Sequence, residues 1–151
     1  SVEAWHYYTG NNTSLSPCIV TENWPNATAN INYSLGSLND NNPNLQGGFF
    51  NGAWRNTPSG YSLTANNWYY LVATYDGSII KLYVNNVLVQ NILYSGVASA
   101  GDEGIVLMRR WDDPPGGFWG GRLAIVNIYY GALSTGAISS NWNSNKSRFG
   151  L

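Results

Sequence analysis

Apolar and polar residues alternate with a period of two along much of this chain, most clearly over residues 66–90, NNWYYLVATYDGSIIKLYVNNVLVQ. Tyr69, Leu71, Ala73 and Tyr75 fall on one face of the first run, and Ile80, Leu82 and Val84 on one face of the second. Successive side chains of a β-strand point to opposite sides of its sheet, so this period predicts strands at 68–75, 79–84 and 87–90. The separators Asp76-Gly77-Ser78 and Asn85-Asn86 tolerate the positive φ of tight hairpin turns, which makes the stretch a β-meander.

The flanking pattern extends the same reading. Residues 1–9 form a predicted strand with Val2, Ala4, His6 and Tyr8 on one side and Glu3, Trp5 and Tyr7 on the other. Short strands are predicted at 18–21, 30–35 and 105–109. Residues 45–54 read as one strand interrupted by glycines, where a bulge or a close backbone approach is expected. Residues 122–130 are the most apolar strand, with Leu123, Ile125, Asn127 and Tyr129 opposite Ala124, Val126, Ile128 and Tyr130. Ser134 is a good N-cap for a short helix over 135–142. Residues 10–17, 22–29, 36–44, 92–103 and 110–121 read as loops; Pro114-Pro115 and two Gly pairs keep the last from being regular. Many short strands, no βαβ pattern and one terminal helix predict an all-β antiparallel two-sheet sandwich, a single domain over 1–151.

Composition changes the picture in one respect. Charged residues make up only 10% of the chain, aromatics 15%, and the net charge is −1, against a usual charged share of about 25%. The seven Lys and Arg residues are scattered singly apart from Arg109-Arg110, so no basic stripe points to nucleic acid. A neutral surface of Asn, Ser, Thr and Gly repels other copies little; it suits a homo-oligomer or larger assembly, or a neutral ligand such as a glycan. No apolar run is long enough for membrane insertion. Cys18, the single cysteine, has no internal partner and reads as a small core residue. A first residue other than Met suggests a processed product, a fragment or the ordered part of something longer.

Four runs resemble a known family: EAW at 3–5, WYYLVATYDG at 68–77, KLYVNNVLV at 81–89 and GGRLAIVNIYYGALS at 120–134. They are similar, in family order, to the laminin-G-like branch of the concanavalin A-like lectin/glucanase superfamily. The resemblance implies a jelly-roll sandwich of two curved sheets, whose members mostly bind glycans or protein surfaces and sometimes hydrolyse polysaccharides. Family members carry one or two strands before the EAW strand, and this chain lacks them. The missing first strand would lie beside residues 122–130, so a neighbouring chain or a preceding segment is expected at that edge. The family's Asn-Gly turn is Asn85-Asn86 here, a change that Asn tolerates.

Catalytic members of that superfamily set carboxylates at alternate positions of one strand. Here Glu3, Glu22 and Glu103 are isolated and Asp112-Asp113 are adjacent, so a non-catalytic protein is expected. His6, the only histidine, reads as a strand residue hydrogen-bonded near the core, and one His with one Cys makes no zinc site. The candidate contact surface for a glycan or a protein receptor is Arg110, Trp111, Asp112, Asp113 and Trp119, with Trp54, Arg55 and Trp24 from other loops. Flat rings stack on sugar C–H faces while Asn, Asp and Arg orient hydroxyl groups. The competing role for Trp111 and Trp119 is to cap an open end of the sandwich. Asp112 and Asp113 are weak Ca²⁺ candidates. In the pairs Tyr7-Tyr8, Tyr69-Tyr70 and Tyr129-Tyr130, one ring is expected in the core and its neighbour outside, the outer rings serving a contact between subunits. The expected function is attachment at an extracellular or virion surface, with structural decoration or assembly as the alternative.

Overall fold

The computed structural model describes residues 1–10, 18–22, 33–36, 44–50, 53–57, 59–98, 104–109 and 118–151, with only the backbone described at Phe50 and Trp54. Its strands are β1 (Val2–Tyr8), β2 (Cys18–Glu22), β3 (Ser34–Gly36), β4 (Gln46–Phe50), β5 (Trp54–Asn56), β6 (Asn67–Tyr75), β7 (Ile79–Val84), β8 (Val87–Leu93), β9 (Ile105–Leu107) and β10 (Gly121–Ile128). They form two five-stranded antiparallel sheets in the orders β10-β1-β6-β7-β8 and β5-β4-β3-β2-β9. A helix, α1 (Thr135–Asn145), and a 3-10 turn, Lys146–Phe149, follow.

The predicted meander is β6 to β8. Asn85 and Asn86 take φ of 48° and 67° in the second turn, and Asp76 Oδ1 accepts the Ser78 and Ile79 N–H groups at 2.8 Å in the first. Both turns rest on short polar side chains that accept left-handed geometry or satisfy the backbone locally. β8 runs three residues beyond the predicted Gln90. The stretch expected to be one strand over 45–54 is instead a hairpin of β4 and β5, with Gly48 opposite Asn56 and Phe50 opposite Trp54. Asn51-Gly52, a strong hairpin dipeptide, was the signal for this. The close approach expected at the glycines is present. A Cβ on Gly48 would lie 1.9 Å from the Arg55 carbonyl oxygen, and one on Gly47 would lie 2.6 Å from Ala73 Cβ of the facing sheet.

The interior differs from a simple two-layer core. Val2, Ala4, Tyr8, Leu71, Ala73, Leu82 and Val84 face Ile19, Val20, Leu35 and Leu45 between the sheets. The opposite face of the first sheet is also buried: Trp5, Tyr70, Val72 and Tyr83 pack beneath Ile138 of α1 and Phe149. The molecule therefore has three layers, because β1 and β6 are apolar on both faces and α1 covers the outer one. Trp5 stacks on Phe149 at 4.4 Å and on Trp142 at 5.6 Å.

A buried carboxylate fastens this third layer. Glu3 is 2% exposed. Its Oε2 accepts from Tyr70 Oη at 2.7 Å and Asn141 Nδ2 at 3.0 Å, and its Oε1 from Asn127 Nδ2 at 2.6 Å and Tyr129 Oη at 2.9 Å. Burial, with Glu3 beside it, raises the Tyr70 phenol above the ordinary tyrosine value. The phenol thus remains a donor. Ser134 caps α1 as predicted, accepting from Ala137 N–H at 3.1 Å, and Ser139 Oγ ties the helix to Asn86 at 3.0 Å. Tyr70 and Tyr129, one from each of two of the tyrosine pairs, are taken up by this network within the chain.

β10 lies at the edge of its sheet, paired with β1, and no described residue pairs with its other side. An irregularity opposite Trp5/His6 breaks its alternation. As a result Leu123 and Val126 join the inner cluster and Ile125 the outer one, whereas strict period two had put Leu123 and Ile125 together.

Candidate functional site

The two ends of the sandwich are built differently. At the end where β1 begins, β6 finishes and β10 leaves the sheet, a cleft of about 490 Å³ opens between the sheets. Its aromatic lining comes from Tyr33, Phe49, Tyr75 and Tyr130, its polar lining includes Ser34 and Thr74, and Val2, Ala73, Ile80 and Ile128 form its apolar floor. Several strands reach the cleft near an end: β1 through Val2, β6 through Ala73 and Tyr75, and β7 through Ile80, while the exposed Ile128 and Tyr130 stand at the rim where β10 exits. Ser1 Oγ holds that exit, donating to the Gly131 carbonyl at 2.8 Å and accepting from Leu133 N–H at 2.8 Å.

Among the described residues the cleft lining carries no Asp, Glu, Lys, Arg or His. Burial and Glu22 push the Tyr33 phenol upward, and burial and Tyr94 push that of Tyr75 upward, so both stay neutral. The site thus offers ring faces and hydroxyl groups, with the Ser1 ammonium held by the Tyr129 and Gly131 carbonyls at 3.0 and 2.7 Å. Tyr130 is fully exposed at its rim. Phe49, Tyr75 and Tyr94 form a cluster with centroid separations of 4.8, 5.5 and 6.1 Å, and Tyr75 Oη donates to the Tyr94 and Gly96 carbonyls. Arg55, one of the residues singled out from the sequence, places its guanidinium 4.7 Å from the Tyr94 ring centre. It stands one ring behind the cleft. The backbone of Trp54 lies beside it in β5.

Trp119 sits at the other end and is 2% exposed, so the expectation that it stacks on a ligand is corrected: its ring belongs to the interior. Its Nε1–H donates to His6 Nε2 at 2.8 Å, and its ring lies 6.1 Å from those of His6 and Tyr8. The Arg122 carbonyl lies 3.2 Å from His6 Nδ1. Since Nε2 accepts, Nδ1 carries the proton and donates; the imidazole is neutral, as expected of a core histidine. Burial lowers the His6 pKa from 6.5 to about 4, partly opposed by the Arg122 bond. Gly121 makes room for this pair: its φ is +148°, and a Cβ there would lie 2.0 Å from the Tyr7 carbonyl oxygen and 2.4 Å from the His6 ring.

Arg109 and Phe118, which flank residues 110–117, form a bridge at this Trp119 end, where Cys18 N–H also meets the Arg109 carbonyl. Arg110, Trp111, Asp112 and Asp113, and with them the Ca²⁺ candidates, lie outside the described residues, as does Trp24. The surface drawn from the sequence thus joined residues from opposite ends of the sandwich. Tyr33, Phe49, Tyr75 and Tyr130 were missed as site residues. The available signal was positional: Tyr75 ends the inward alternation of its strand, where a side chain has core behind it and solvent ahead.

Two curved antiparallel sheets with an aromatic cleft at one end and a covering C-terminal helix define a lectin-type β-sandwich. The family model described as the concanavalin A-like lectin/glucanases superfamily, laminin-G type, matches residues 1–139, and the chain belongs to that family. Among solved structures, it is similar to domain 4 of AbnA, a GH43 extracellular arabinanase from Geobacillus stearothermophilus, in complex with arabinotriose. The TM-score is 0.65 at 19% identity, covering 92% of this chain and 64% of that one, a likeness of fold. No curated protein sequence matches the chain. None of the helices of the described residues is long and apolar enough to cross a membrane.

Proposed function

We propose that this chain is a non-catalytic carbohydrate-binding module that holds a neutral glycan in the cleft between its sheets, and that it serves attachment at an extracellular or virion surface. The carrying observation is the cleft itself: about 490 Å³, lined by Tyr33, Phe49, Tyr75 and Tyr130 with the Ser34 and Thr74 hydroxyl groups, and without a charged side chain among the described residues. Sugar rings offer C–H faces to aromatic side chains and hydroxyl groups to neutral donors and acceptors, and this lining supplies both. Among the described residues the lining holds no carboxylate pair of the kind glycoside hydrolysis uses, which favours binding over hydrolysis. The arabinotriose complex of the structurally similar domain supports the same reading.

Calorimetric titration with arabinotriose and a panel of neutral oligosaccharides tests this. Saturable binding is expected, weakened roughly two- to ten-fold in Tyr130→Ala, the value of one aromatic contact. Full-strength binding in that variant would overturn the cleft as the site, and release of reducing sugar from the same oligosaccharides would overturn the non-catalytic part.

A second reading, self-assembly with copies of this chain, draws on β8. It is an edge strand with no charged residue, and it exposes Val87, Leu88 and Leu93. Uncharged edges invite strand pairing. Light scattering should then report oligomers that Leu93→Lys disperses, and a wild-type monomer at high concentration would remove this reading.

A further inference from the structure

We propose that the cleft takes a sugar by a methyl-bearing edge, that of a 6-deoxyhexose or an N-acetyl sugar, and discriminates against the counterpart that lacks the methyl group. This rests on the cleft being a glycan site and adds which edge of the glycan enters it.

The strand register sets the chemistry of the floor. Val2 of β1 stands opposite Ile128 of β10 on one side and Ala73 of β6 on the other, and Tyr75 stands opposite Ile80 of β7. Side chains directly opposite one another share a face of the sheet. Ile128, Val2 and Ala73 therefore form one apolar row, from a rim where Ile128 is 40% exposed to a floor where Val2, Ala73 and Ile80 are buried. The two sheets come together behind this row: a Cβ on Gly47 would lie 2.6 Å from Ala73 Cβ, and the next residue, Gly48, lines the cleft. The cleft thus narrows inward, and the edge of a sugar ring rather than its broad face reaches the floor.

Much of the polar lining is already occupied. Ser1 Oγ is bonded to the Gly131 carbonyl and the Leu133 N–H, and the Ser1 ammonium to the Tyr129 and Gly131 carbonyls. Tyr75 Oη donates to the Tyr94 and Gly96 carbonyls, Tyr129 Oη donates to Glu3 Oε1, and Ser34 Oγ faces Cys18 Sγ at 3.5 Å. The side chains of Val2, Ala73 and Ile80 have no donor or acceptor at all. A sugar hydroxyl turned towards them gives up water without gaining a partner, whereas a methyl group there gains apolar contact. Tyr33 and Tyr130, on the wall and at the rim, offer phenols to the hydroxylated remainder of the sugar.

The test measures the whole chain by chemical-shift titration against L-rhamnose and L-mannose, L-fucose and L-galactose, and N-acetyl-D-glucosamine and D-glucose. The first two pairs differ only in a 6-hydroxyl group and the third in an acetamido group, so the responding pair tells the two sources of the methyl apart. In at least one pair the methyl-bearing sugar should bind roughly four-fold or more tightly, the value of one buried methyl group, with saturation transfer strongest at that methyl. Val2→Thr puts a hydroxyl in the middle of the row and should cut the ratio to within about two-fold. Ile128→Thr, at the exposed rim, should lower it in the same direction, which keeps the test usable should Val2→Thr unfold. Ratios within two-fold in all pairs, tighter binding of the sugars without the methyl, a ratio unmoved in the folded threonine variants, or binding of neutral oligosaccharides but of none of these sugars would overturn this inference and leave the cleft a glycan site. Absence of binding by sugars and oligosaccharides alike would overturn both.

Discussion

The two ends of the sandwich use aromatic residues in opposite ways. At one end Trp119 is sealed in: its ring abuts Tyr8 and His6, and its only polar atom is satisfied by His6 Nε2 at 2.8 Å. At the other end Tyr33, Tyr75 and Tyr130 line a cleft of about 490 Å³ whose inner wall is the buried Phe49, and Tyr130 has no cover. Aromatic density therefore does not by itself mark a binding site. Ring surface left unspent by the protein does, and whether an indole or phenol has an interior partner decides which case applies.

The comparison can be broken most forcefully at the closed end. Trp119→Ala should cost about 3–5 kcal/mol, the usual effect of deleting a large buried aromatic, and it strands the His6 lone pair besides. A thermal or urea melt checks this; a loss below about 1 kcal/mol would show that the ring is not sealed. The same end should make the protein acid-sensitive. The folded-state pKa of His6 is lowered from 6.5 to about 4, so between those values the unfolded chain takes up a proton that the folded chain refuses. Stability is then complete above pH 6.5 and falls as pH drops towards 4, by about 3 kcal/mol from this group. Denaturant midpoints across that range should lose this slope in His6→Gln.

The outer layer offers an intermediate effect. Glu3→Ala removes the acceptor shared by Tyr70, Tyr129, Asn127 and Asn141. A loss of about 2–3 kcal/mol is expected, with faster amide exchange in α1 than in β6, because buried donors left without partners carry their full desolvation cost. Tyr130→Ala at the open end should change stability by less than about 0.5 kcal/mol while weakening oligosaccharide binding. Those two measurements on one variant separate a binding ring from a structural one.

Much of the architecture was legible because period two is a local property. The meander, the inward faces of β1 and β6, both hairpin turns and the Ser134 cap depend on residues within a few positions of one another. The errors arose where neighbours in space decided the outcome. Leu123 changed face because of an irregularity against β1, the 45–54 stretch folded back on itself as β4 and β5, and Trp119 turned inward to a histidine more than a hundred positions away. Residues 110–113 of the loop rich in Trp and Asp lie outside the described residues, and the cleft is assembled from single side chains near the ends of separate strands.

The sequence by itself determined that this chain makes an antiparallel sandwich of the laminin-G-like type, because alternation and turn chemistry act over short spans and repeat in the family's order. Only the tertiary structure decided which aromatic residues seal the interior and which remain open. Those outcomes depend on which strands become neighbours and on how the chain's two ends close, and no residue carries that information in its own type.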